Sequence, residues 1–138
     1  MTEPRTIAGA LAADDRFTLM AGAIRATGFD SVLAGKGPFT LCAPTDTAFR
    51  NLPPAAFAAL MKDPRGELTR VLRYYIINGS LPSETLKKQK SAETRLGITV
   101  EIVEKEGTVV YGGAPVVIPD IACSNGTLHG LGAVVIPP

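Results

Sequence analysis

The side chains able to do chemistry are few and scattered. Ser80, Ser83, Ser124, Cys42 and Cys123 are candidate nucleophiles, and one histidine, His129, is available to serve any of them as a base. None of them stands in a nucleophile elbow, and Gly112-Gly113 does not lead into the spacing of a phosphate loop. There is no CxxC spacing, and a single histidine leaves no His/Cys zinc set. The paired acids Asp14-Asp15 precede a helical pattern, where their charge suits the helix dipole. The residues therefore predict no catalytic group, no metal site and no cofactor. The stretch FTLCAPTDTAF, Phe39 to Phe49, poses a sharper question. An apolar run meets Ala43-Pro44-Thr45-Asp46 and then turns helix-like, so this oxygen-rich corner is a catalytic elbow, an anion site or a piece of architecture.

Several elements must position those residues. Ile7, Ala10 and Leu11 form a short helical stripe. Asp14 or Asp15 caps the next helix, where Phe17, Met20, Ala21 and Ile24 recur at helical steps and Thr27-Gly28 closes it. Asp30 to Leu33 reads as a one-turn helix. Phe39 to Ala43 reads as a buried strand stopped by Pro44, with Asp46 placed as N-cap for a helix over Thr47 to Leu52. Ala55 to Met61 and Glu67 to Tyr74 follow as helices, punctuated by Pro64-Arg65-Gly66. Ser83 caps a helical turn to Leu86. From Ala92 onward the pattern is strand-like, with strands at Ile98 to Val103, Thr108 to Tyr111, Ala114 to Ile121 and Thr127 to Ile136, separated by Gly-rich turns. The fold class is α+β, one domain over residues 1–138, with the early strand joining the late sheet.

The bulk numbers agree. The chain has 138 residues, 46% hydrophobic and 20% charged, enough for a core and against disorder. Its 14 glycines and 11 prolines imply many turns. A net charge of +1 offers no field to steer nucleic acid or an anionic membrane, and Lys87-Lys88-Gln89-Lys90 reads as a solvated loop. No apolar run is long enough to span a membrane. Met1 to Thr6 carries an acid and a proline where an export signal would be basic and then apolar, so no signal peptide is expected in this chain. Cys42 and Cys123 read as buried free thiols, with a disulfide as the alternative.

Three segments, in order and spacing, resemble the signatures of the fasciclin domain: GPFTLCAPTDTAFRNLP at Gly37 to Pro53, LTRVLRYYIINGSLPSETL at Leu68 to Leu86, and PDIACSNGTLHGLGAVVIPP at Pro119 to Pro138. The likeness runs from about Thr6 to Pro138 and suits a bacterial-type single-domain member. It implies two β-sheets forming a wedge or sandwich, with helices wrapped around the N-terminal half. It also implies a non-catalytic, extracellular, periplasmic or cell-surface module for adhesion and protein contact. On this resemblance Pro44, Thr45, Asp46, Phe49, Asn125, Gly126 and His129 are structural motif residues, and the corner is architectural.

The same resemblance marks candidate interaction residues. The family's middle signature carries a Tyr-His pair tied to adhesion in some animal members. Here Tyr74 and Tyr75 stand at those positions, with tyrosine in place of the histidine. They are either contact residues or core edges with a hydrogen-bonded hydroxyl. Asp120-Ile121 matches a pair linked to integrin binding in some members; an exposed carboxylate can complete a receptor-bound cation. The plainer reading is a turn aspartate with Ile121 packed inside. His129 reads as a hydrogen-bonded structural residue. The expected partner is another protein or a surface polysaccharide, with no nucleic acid, no membrane insertion and a monomeric state. The alternative is a small-ligand or lipid-binding domain using a cleft between sheet and helices. A bare spacer in a larger precursor is a further possibility.

Overall fold

The structure, a computed structural model, describes residues 6–33, 35, 37–62, 66–79 and 81–135. The helical stripes of the first half pack as their periodicity predicts. Helix α1 (Ile7–Ala13) starts at Thr6, whose hydroxyl accepts from the Gly9 amide. A 3-10 turn (Asp15–Phe17) follows, with Asp14 accepting from the Arg16 amide. Helix α2 (Thr18–Thr27) closes at Gly28, which takes the left-handed conformation of a helix C-cap. With α3 (Phe29–Leu33) these elements bury Ile7, Leu11, Phe17, Met20, Ile24 and Leu33. Four further helices, α4 (Asp46–Arg50), α5 (Pro54–Lys62), α6 (Glu67–Tyr74) and α7 (Ser83–Leu86), are threaded among the strands.

The strands are β1 (Phe39–Pro44), β2 (Ile76–Asn78), β3 (Ser91–Glu93), β4 (Thr99–Lys105), β5 (Thr108–Tyr111), β6 (Ala114–Cys123) and β7 (Gly126–Leu131). They form one seven-stranded sheet in the order β2-β1-β7-β6-β5-β4-β3. The early strand does join the late sheet: β1 pairs parallel with β7 from Phe39↔Gly126 to Pro44↔Leu131. The two sheets of the expected wedge are continuous through β6. Its first residues pair with β5, and the rest pair with β7 past register shifts between Val116 and Ile121. The far edges meet, because Ile77 bridges Thr94 and the Arg95 amide donates to the Ile76 carbonyl at 2.9 Å. That contact covers edges that would otherwise invite another strand.

Some boundaries differ from the sequence reading. Pro44 is the last residue of β1, one past the expected end at Ala43, so the strand does stop at the proline. The last strand ends at Leu131, short of the expected Ile136; one further ladder bond, from the Gly132 amide to the Pro115 carbonyl at 2.8 Å, continues its pairing with β6. Strand β2 has no signal in the sequence, since three residues are too few to show alternation, whereas β3 falls at the start of the segment read as β from Ala92 onward. Pro64-Arg65, Ser80 and Ile136 lie outside the described residues.

Candidate functional site

The Ala43 to Asp46 corner resolves into two separate caps. Thr45, not Asp46, is the N-cap of α4: its hydroxyl accepts from the Ala48 amide at 3.3 Å and donates to the Leu131 carbonyl at 3.1 Å. Asp46 is the first residue of that helix and is buried. Its carboxylate reaches instead to the start of α2, accepting from the Leu19 amide at 2.8 Å and from the Thr18 hydroxyl. The expected cap is thus corrected to a cap of a different helix, across the fold. Sequence spacing shows only local partners, and the helix that Asp46 serves begins 28 residues earlier. Asp46→Ala should lower stability by about 1–3 kcal/mol, since two donors at a buried junction lose their acceptor. A variant melting at the wild-type temperature would remove this role.

Asn125 and Gly126 form the second junction. The Asn125 side chain is buried. Its oxygen accepts from the Ile7 amide at 2.9 Å, and its nitrogen donates to the carbonyls of Leu33 at 2.6 Å and Gly35 at 2.8 Å. One amide thus joins the start of α1, the end of α3 and the turn into β7. Phe49, from the corner, packs edge-to-face against Phe57 of α5 with ring centroids 5.8 Å apart.

The tyrosines are inside, which corrects the contact-residue reading. Tyr74 is 5% exposed and Tyr75 is fully buried. The Tyr75 hydroxyl donates to the Val135 carbonyl at 2.7 Å and accepts from the Val135 amide at 3.0 Å, pinning the C-terminal segment. The Tyr111 hydroxyl donates to the Tyr74 carbonyl at 2.8 Å. These rings fill the interior, and the hydroxyls of Tyr75 and Tyr111 satisfy backbone groups of Val135 and Tyr74.

Asp120, His129 and Ser83 come together, a grouping that their sequence separations do not announce. Asp120 sits in β6 within the register shift between Ile118 and Ile121, with a left-handed backbone of φ 60°. Its carboxylate accepts from the amide of Ser83 at 2.7 Å and from the Ser83 hydroxyl. It therefore supplies the first turn of α7, the role that sequence assigned to Ser83 itself. Partial burial works against ionisation of Asp120, but the Ser83 hydroxyl and amide outweigh it and hold the carboxyl below its usual pKa. Ile121 is half-buried and packs against the core behind it.

His129 is fully buried. The Asp120 amide donates to Nδ1 at 3.0 Å, so the proton rests on Nε2, which donates to the Leu81 carbonyl at 2.8 Å. Both ring nitrogens are thus committed to backbone, and neither is free to act as a base for Ser83. Thr40 ties the same segment, accepting from the Leu81 amide at 2.7 Å and donating to the Gly79 carbonyl at 2.6 Å. Burial pushes the His129 pKa below its ordinary 6.5, against the weaker opposing pulls of the Leu81 carbonyl and the Asp120 carboxylate. The unfolded chain therefore takes up a proton near pH 6.5 that the folded one refuses. Stability should fall as pH drops through that value and show no dependence on this group above it. Urea unfolding between about pH 7 and about pH 5 should show a falling midpoint, with a flatter dependence in His129→Gln. Equal slopes in the two proteins would contradict this assignment.

Cys42 and Cys123 are both free thiols, Cys42 buried and Cys123 half-buried. Burial pushes both above the ordinary thiol pKa, away from nucleophilic character. Ser124 is exposed in the β6–β7 turn, while Ser80 lies outside the described residues.

Comparison with known proteins fits this architecture. The sequence model of the fasciclin domain matches residues 15–137. The uncharacterized protein sll1735 of Synechocystis sp. is 35% identical over 123 residues, covering 89% of this chain and 91% of its own length. The pig transforming growth factor-beta-induced protein ig-h3 is 29% identical over 96% of this chain, which spans only 19% of that protein. Among solved structures, a FAS1 domain pair from the insect cell adhesion molecule fasciclin I superposes with a TM-score of 0.83 at 16% identity, over 96% of this chain and 51% of that one. At that identity the likeness concerns the fold alone.

Proposed function

The chain belongs to the fasciclin domain family, and from that premise we propose that it is a non-catalytic interaction module, displayed outside the cytoplasm, that holds another protein or a surface polysaccharide. Fasciclin I, which shares its fold, is a cell adhesion molecule. No helix among the described residues is long and apolar enough to cross a membrane. The observation that carries the reading is an exposed strip on β6. Val117 is 53% exposed, and Pro119 and Asp120 are exposed beside it. Asp120 is already fixed by Ser83, so its carboxylate loses little freedom when a partner's cation or basic group meets it. Its neighbour Ile121 packs against the core.

The engagement of both His129 nitrogens by backbone supports the non-catalytic part of the proposal. The test is binding of the labelled purified domain to intact cells of the source. Saturable binding should weaken about tenfold or more in Val117→Glu, which places a charge in the centre of the contact, and also in Asp120→Ala. Binding unchanged in both variants, with folding intact by circular dichroism, would remove the strip from the contact.

A further inference from the structure

Helices α2, α4 and α5 meet around an open groove of about 200 Å³ lined by Leu19, Phe49, Arg50, Leu52, Pro54 and Phe57. All but Arg50 are apolar, and Phe49 and Phe57 are locked edge-to-face. The groove is held in shape before any ligand arrives. Asp46 opens α4 and fixes the start of α2 through Thr18 and Leu19, while the Phe57 amide donates to the Pro53 carbonyl at 3.1 Å. Its apolar surface continues onto α5, where Ala55, Ala56, Ala58 and Ala59 face solvent. Arg50 is exposed in the last turn of α4 and makes no ion pair among the described residues.

We propose that this groove is a binding site for a single acyl chain carrying an anionic head group, with the chain against the two phenylalanines and the head on Arg50. Charge complementarity selects the occupant: among the described residues the one charged group lining the groove is a cation, and the acid nearest in sequence, Asp46, is consumed by its caps. The volume is below the roughly 300–1,000 Å³ of sites for drug-sized ligands, which suits a short linear chain over a rigid ring system. The site differs from the cleft between sheet and helices that sequence suggested. It shares no residue with the Val117–Asp120 strip, so either proposal can fail without the other.

The test is an NMR titration of the folded chain with decanoate, decanol and decyltrimethylammonium, each below its micelle threshold. Saturable shifts at the amides of Leu19, Arg50, Leu52 and Phe57 are expected. Affinity should order decanoate above decanol above the ammonium. It should rise about threefold to fourfold per methylene from hexanoate upward until the groove is full. Arg50→Gln should weaken decanoate about two- to fivefold and leave decanol unchanged. Phe57→Glu should abolish the saturable shifts. Shifts that never saturate, or an Arg50→Gln variant that weakens decanoate and decanol alike, would overturn the site. So would sedimentation with anionic phospholipid vesicles in the absence of any decanoate binding, which would make the surface a membrane contact.

Discussion

Gly126→Ala should be the most damaging small substitution in the chain. A Cβ at this position would lie 1.8 Å from the Phe39 carbonyl oxygen and 2.8 Å from its carbon. Those are backbone atoms of the paired strand, at the first step of the β1–β7 ladder, so no side-chain rotation relieves the clash. The parallel pairing must open or the turn must move, and either change disturbs Asn125 next door. The loss should exceed about 3 kcal/mol, the upper end of ordinary overpacking. Against a domain stability of about 5–15 kcal/mol, the variant should be largely insoluble or melt far below the wild type. A Gly126→Ala protein with wild-type melting would contradict the pairing described here.

Asn125→Ala is expected to come second. It removes the acceptor of the Ile7 amide and the donors to Leu33 and Gly35, and it leaves those backbone groups without their partner at a buried site. Each buried group left unsatisfied costs about 1–3 kcal/mol, so the sum is about 3–5 kcal/mol once local relaxation is allowed for. Asn125→Asp separates the two halves of the role. It keeps an acceptor for Ile7 but presents negative oxygen to two carbonyls, and it should be nearly as destabilising. Thermal melts of the two variants settle this: if Asn125→Asp behaves like wild type, the donors to Leu33 and Gly35 carry no weight.

The sequence made the helical half legible because its stripes are long enough to show period: Ile7, Leu11, Phe17, Met20 and Ile24 all appear inside. It made the α+β order legible through the Gly-rich turns of the second half. What stayed hidden was the identity of partners across the fold. Asp46 looks like a local cap and serves a distant helix. Ser83 looks like a cap and is itself capped by Asp120. Tyr74 and Tyr75 could serve at the surface or as core edges, since a tyrosine carries both an apolar ring and a polar tip; the burial of both, with the Tyr75 hydroxyl on the Val135 backbone, decides for the core. The groove on α2, α4 and α5 left no pattern, because its lining comes from three separate elements.

A contact module that works outside the cytoplasm must be reachable from outside the cell. The full natural gene product, expressed in its own cells, would be exposed to protease added outside intact cells, with a cytosolic protein followed as the lysis control. The domain should be shaved from the cells while the control survives. Complete protection, with the domain recovered in the cytosolic fraction, would contradict that placement and leave the fasciclin family as a statement about fold alone.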